Sequence, residues 1–214
     1  MRMAFKEVKP ADIEKKSFEI ITEELREMGK TVDPRYEHIV KRCIHTSADF
    51  EYADSLYFSE DVDSKISEAI KQGACIVTDT AMARSGINKK TIEYFGGQVL
   101  CFIADPTVAE EAKERGLTRS YVSMERASKL DRPVIVAVGN APTALASICR
   151  LHEEGRFDPV AVIGVPVGFV NVVEAKEMLM ETDIPCIVAR GRKGGSNIAA
   201  CIINAIQYRI RREA

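Results

Sequence analysis

The stretch from Val134 to Leu179 constrains this chain most, because it holds the same short arrangement twice over. Val134-Ile135-Val136-Ala137-Val138 runs into Gly139-Asn140-Ala141-Pro142-Thr143-Ala144-Leu145. Val160-Ala161-Val162-Ile163 then runs into Gly164-Val165-Pro166-Val167-Gly168-Phe169-Val170. Each unit starts with a short apolar run rich in β-branched side chains, the pattern of a strand buried on both faces. Each then turns at glycine, which has the backbone freedom to turn sharply or to lie close to a ligand. Pro142 suits the first turn of a helix, where its missing N–H breaks no intrahelical bond. Two such units in succession set two helix N-termini beside each other at one end of a parallel sheet, with their amides aimed at whatever binds there.

The pattern extends outward from this stretch. Ala74-Cys75-Ile76-Val77-Thr78, Val99-Leu100-Cys101-Phe102-Ile103 and Cys186-Ile187-Val188-Ala189 read as three more strands, with helices between them. The expected fold is therefore α/β and three-layered, Rossmann-like, with a predominantly parallel five-stranded sheet, right-handed crossovers and helices on both faces. A first helix is expected over Ala11 to Met28, with Ile13, Ser17, Ile20, Ile21, Leu25 and Met28 at helical spacing and Gly29 to end it. A second is expected to start at Asp33-Pro34 and to reach His45. Phe50 to Phe58 reads as irregular or partly extended, and Ser59 as the cap of a helix running to Gln72. Pro106 opens a later helix, Thr118 caps the next, and a final helix runs from about Gly195 to Arg211. Without a linker or low-complexity tract, residues 1–214 read as one domain.

Charge and composition exclude several classes. Lys plus Arg number 30 against 32 for Asp plus Glu, so no basic surplus points to nucleic acid. No apolar run reaches membrane-spanning length and no signal peptide precedes the first helix, so a cytoplasmic protein with no membrane association is expected. The six cysteines form no C-x-x-C pair and read as reduced thiols, leaving no metal site expected. Neither G-x-G-x-x-G after the first strand nor G-x-x-x-x-G-K-[ST] occurs.

The chemistry collects where strands end: Asp79, Asp105-Pro106, Gly139-Asn140, Gly164 and Arg190-Gly191. Ligands of open parallel sheets bind outside the carboxyl ends of the strands. Any one of these residues is an ordinary turn residue, but all five together favour a cleft. Arg190-Gly191-Arg192-Lys193-Gly194-Gly195-Ser196 has the donors to hold carboxylates or phosphates, and on spacing alone it reads equally well as a solvated turn. Among the histidines, His38 and His152 read as surface residues. His45 ends an apolar-striped helix before small polar groups, where the helix dipole favours positive charge. The residues alone thus give an α/β protein with an anion-lined cleft and one candidate acid–base histidine.

A family resemblance goes further. Ile44-His45, Thr118-Arg119-Ser120, Gly139 to Leu145, Pro166-Val167-Gly168-Phe169-Val170 and Gly191-Arg192-Lys193-Gly194-Gly195-Ser196 occur in this order. The series resembles the precorrin-8X methylmutase family, including its cobalt-precorrin-8 form, from about Ile13 to Asn204. One departure is Glu174-Ala175-Lys176, where the family has Glu-Ser-Lys, and it bears on a local cap or ligand contact. The resemblance implies an isomerase of cobalamin biosynthesis that shifts a methyl group between neighbouring ring-C carbons of a corrinoid macrocycle. The product is hydrogenobyrinate, or cobyrinate where the substrate itself carries cobalt. It implies no cofactor of the enzyme's own, a tetrapyrrole-derived substrate and a homodimer. It implies His45 as the acid toward ring C and Arg119 as a substrate-binding residue, with Ser17, Arg42, Arg192 and Ser196 added to that set. A non-catalytic corrinoid carrier and an unrelated α/β enzyme acting on a phosphorylated substrate are the competing readings.

Overall fold

Side-chain alternation along the central strands sorts the molecule into layers. The computed structural model describes residues 12–213. The strands are β1 (Leu56–Phe58), β2 (Cys75–Thr78), β3 (Gln98–Leu100), β4 (Val134–Val138), β5 (Ala161–Gly164) and β6 (Cys186–Ala189). Ile76, Ile135, Ala137, Ile163 and Ile187 point into one core, and Val77, Val136, Val138, Val162 and Val188 into the other. That period of two, with both faces apolar, is what a sheet sandwiched between helical layers requires.

The first core is covered by α1 (Ile13–Glu27), α2 (Glu37–Ser47), α4 (Val62–Lys71), α6 (Lys89–Tyr94) and α11 (Ser196–Glu213). The second is covered by α8 (Arg119–Ala127), α9 (Pro142–Glu153) and α10 (Val172–Met180). The short α3 (Tyr52–Ser55) and α5 (Ala81–Gly86), together with α7 (Pro106–Glu114), complete the set.

Among the described residues the sheet has six strands, in the order β1-β6-β5-β4-β2-β3. All neighbouring pairs are parallel except β1 and β6, which are antiparallel. The fold class is the expected one, but the expected count of five strands omits β1. The residues read as irregular or partly extended hold both the α3 turn and this edge strand. Ser59 is not the helix cap that its type promises. Its Oγ accepts from the Cys186 N–H at 2.8 Å, securing the end of β1 against β6, and α4 begins three residues later.

Other boundaries shift for local reasons. The Asp33 carboxylate accepts from the Arg35 N–H at 2.9 Å in a turn of its own, so α2 starts at Glu37 rather than at Pro34. The second expected strand stops at Leu100, the last of its three positions paired with β2. Cys101 therefore lies past the strand and is half-buried. Thr118 does cap α8, accepting from the Tyr121 N–H at 3.1 Å, and prolines open α7 and α9 as expected. The expected helix start at Ala11 and the outer limits of the 1–214 domain lie outside the described residues. No helix among the described residues is long and apolar enough to cross a membrane.

Candidate active site

The strand order turns back on itself between β2 and β4, since connections from β2 lead outward to β3 and those from β4 lead the other way to β5 and β6. That is the switch point where α/β sheets open a crevice. Here the crevice floor is built by Asp79, at the end of β2. Its carboxylate accepts from the N–H groups of Gly139, Asn140 and Ala141 at 2.9, 2.8 and 2.7 Å. The amides leading into α9, expected to face a ligand, are thus satisfied by the protein itself. Burial pushes the Asp79 carboxyl above the usual carboxylate range, and the three amide donors oppose that shift.

Beside Asp79, the Thr80 and Ser196 hydroxyls are hydrogen-bonded at 2.8 Å. Gly139 permits this closeness, since a Cβ there would lie 2.5 Å from the Ser196 Cα. Ser196 therefore sits on the floor, 9% exposed, joining the start of α11 to the loop after β2.

The wall above the floor is the 190–195 loop. Gly191, Gly194 and Gly195 all have positive φ, and a Cβ on Gly194 would lie 2.1 Å from the Val165 carbonyl oxygen. The Gly195 N–H donates to that same oxygen at 2.8 Å, and the Gly168 N–H donates to the Arg192 carbonyl at 3.2 Å. The loops after β5 and β6 are thereby zipped together. Arg192 is exposed, with its guanidinium 5.3 Å from the centre of the Phe169 ring. Phe169 and Val170 are 81% and 76% exposed. A cation edging an apolar platform suits a flat ligand rimmed with carboxylates.

His45 occupies the last turn of α2 and is exposed. The Phe18 ring of α1 lies against it, with centroids 5.4 Å apart at an angle of 59°. Arg42, one turn earlier, lies over both Phe18 and Tyr208, at 4.9 and 5.1 Å, and pairs with Glu14. The Ser17 hydroxyl donates to the Ile13 carbonyl at 2.9 Å. Arg42 and His45 therefore meet at Phe18, a residue that sequence reasoning passed over, while the Ser17 hydroxyl is turned back onto its own helix. The signal for Phe18 was its position, one residue after Ser17 on an amphipathic helix.

This cluster is joined to the 190–195 loop. Lys193 Nζ contacts Asp49 at 2.6 Å and Glu51 at 2.7 Å, just past the helix that carries His45. Thr46 donates to the Cys201 sulfur of α11 at 3.2 Å. Arg119 stands apart from these groups. It is exposed at the start of α8, in the opposite helical layer, and among the described residues its side chain has no ion pair or hydrogen bond. Ala175 is 5% exposed and packs into the second core, so its missing hydroxyl faces the core rather than the cleft.

The other two histidines are less exposed than their sequence context implied. His152 lies 2.7 Å from Asp183 and 3.1 Å from the Phe157 carbonyl, and the contact with Asp183 holds its imidazole above the ordinary range. His38 lies 3.6 Å from the buried Asp63. Among the described residues no group of three or more His, Cys, Asp or Glu converges as a metal site.

Comparison with known proteins fits this geometry. A family model described as Precorrin-8X methylmutase matches residues 12–209. The cobalt-precorrin-8 methylmutase of Salmonella typhimurium is 43% identical, over 94% of this chain and 96% of its own length. That of Priestia megaterium is 46% identical, over 93% and 88%. The solved precorrin-8X methyl mutase from Thermus thermophilus superposes with a TM-score of 0.83 at 36% identity, covering 94% of this chain and 98% of its own. With the fold, the histidine at the helix end and the glycine-arginine loop all in place, the chain belongs to the precorrin-8X methylmutase family.

Proposed function

We propose that this chain is an isomerase of cobalamin biosynthesis, moving a methyl group between neighbouring ring-C carbons of precorrin-8X or its cobalt form. The observation that carries the reading is the exposed His45 imidazole, backed by Phe18 and tied through Lys193 and Asp49 to a loop of glycine and arginine. The platform of Phe169 and Val170 takes the face of the macrocycle. Arg192 takes carboxylates at its edge, and Ser17, Arg42, Arg119 and Ser196 contribute to binding or to the shape of the cleft. His45 supplies a hydrogen bond or a proton to ring C as the methyl group migrates and conjugation extends across that ring. Such acid assistance contributes about 10²–10⁴-fold. Binding the macrocycle in its rearranging shape supplies the rest. The reaction is internal to the substrate and is read as needing no cofactor from the enzyme, and its setting as the cytoplasm.

A non-catalytic corrinoid carrier would use the same cleft. An exposed imidazole favours turnover, because a carrier needs only the platform and the carboxylate contacts. Incubation with precorrin-8X decides between them by absorbance. Progressive conversion to product supports the mutase, and a stoichiometric spectral shift that then stays constant supports the carrier. No change with either the metal-free or the cobalt substrate overturns both.

Arg119→Ala is expected to weaken binding of the corrinoid product by about 1.5–3 kcal/mol, the scale of a hydrogen bond to a charged group. Titration followed by absorbance measures it, and an unchanged dissociation constant removes Arg119 from the site.

His45 rises from a helix on one face of the sheet and Arg119 from a helix on the other. We infer a symmetric dimer in which two copies together enclose the macrocycle. Sedimentation velocity at assay concentrations is expected to give twice the chain mass. A monomer that turns over normally would refute the shared cleft.

A further inference from the structure

Lys176 lies in the middle of α10 and is the largest fully buried side chain of the described residues. An ammonium with no access to water needs compensation, and a carboxylate is the usual source. Lys176 has two backbone carbonyls instead. Its Nζ donates to the Gly191 oxygen at 2.7 Å and the Lys193 oxygen at 2.9 Å. Burial alone lowers its pKa to about 8, and no neighbouring carboxylate acts against that shift. The two carbonyl dipoles are thus the partners the structure gives this ammonium beneath the loop.

The two carbonyls belong to the residues on either side of Arg192, whose own carbonyl accepts from the Gly168 N–H. Three successive carbonyls are thus fixed, and the Arg192 side chain is left to stand outward over Phe169. An apolar side chain of similar volume would fill the core without the cost of burying a charge. What it could not do is hold these carbonyls or place a positive charge under a site for anions.

We propose that Lys176 is a positioning residue for the carboxylates of the ligand: its buried ammonium fixes the loop that presents Arg192 and adds a positive charge beneath it. This rests on the reading of the 190–195 loop as a carboxylate site. It goes beyond that reading by assigning the loop's shape and part of its field to a side chain that touches no ligand.

The test combines Lys176→Met with Arg192→Ala, singly and together, using the corrinoid product as titrant. Lys176→Met is expected to fold, to exchange its Gly195 amide at least about 10-fold faster, and to bind product at least about 10-fold more weakly. KM should rise similarly while kcat stays within about 3-fold, because His45 is untouched. In the Arg192→Ala background, Lys176→Met should cost no more than about 3-fold further, since the positioning effect is lost there and only the direct field of the ammonium remains. A purely packing role predicts instead an undiminished effect in that background. If Arg192→Ala weakens binding but Lys176→Met changes neither exchange nor affinity, the proposal fails and the loop reading stands. If Arg192→Ala leaves binding normal, the loop reading fails and takes the proposal with it. Should Lys176→Met not fold, Lys176→Gln, which keeps one donor, is put through the same cycle. If that variant also fails to fold, Lys176 is a core requirement and the positioning role is overturned.

Discussion

His45→Ala is expected to lower turnover by at least about 10²-fold while leaving product affinity within a few-fold of the parent. The separation follows from where the side chain stands. The imidazole is exposed at the end of α2, so its removal opens no core cavity and breaks no buried hydrogen bond. The platform of Phe169 and Arg192 belongs to loops after other strands and is unaffected. The loss should therefore fall on the chemical step, read as the absorbance change when conjugation extends across ring C. Turnover within a few-fold of the parent would mean that shape complementarity alone drives the shift. Of the two other histidines, His38 is the better control, since His152→Ala would also break the contact with Asp183. Activity in that variant must be expressed per folded molecule.

A second large effect is expected in stability rather than rate. Asp79→Ala removes the acceptor of three amides at the crevice floor. A buried donor left without a partner costs about 1–3 kcal/mol, and water entering the crevice would satisfy part of the deficit. With that partial hydration, and with the cost of burying the carboxylate removed, a loss of about 2–3 kcal/mol on unfolding is expected. Asp79→Asn should recover part of the loss, because its amide oxygen can still accept from Asn140 and Ala141 while its NH₂ group would face the Gly139 donor. Urea denaturation measures both variants. A loss below about 1 kcal/mol for Asp79→Ala would show that the turn holds its shape without the carboxylate. Since Gly139 is packed against Ser196, a loosened turn should also weaken ligand binding.

The parallel part of the fold was legible because its signals are redundant. Residues 134–142 carry a β-branched run, a glycine turn and a proline at the helix start, and any two of these place a strand and a helix. β1 was not legible, because Leu56-Tyr57-Phe58 is a strand only by virtue of β6 beside it. Asp79 was visible as a strand-end residue, but its grip on residues 139–141 joins positions some sixty apart, a distance that no local pattern spans. The same holds for Lys176, which reads as an ordinary charged helix position until Gly191 and Lys193 close over it. Resemblance supplied His45 and Arg119 as a set, and the geometry adds that they rise from opposite layers.

The two outer strands of the sheet have a consequence for how copies of this chain can meet. β1 and β3 are each three residues long, and neither offers a row of free backbone groups long enough to template another strand. A second copy is thus denied the simplest route, that of extending the hydrogen-bonded ladder. Among the described residues, contact between copies is left to side chains on helices and loops, where shape and charge can discriminate and fibre-like growth finds no long starting edge.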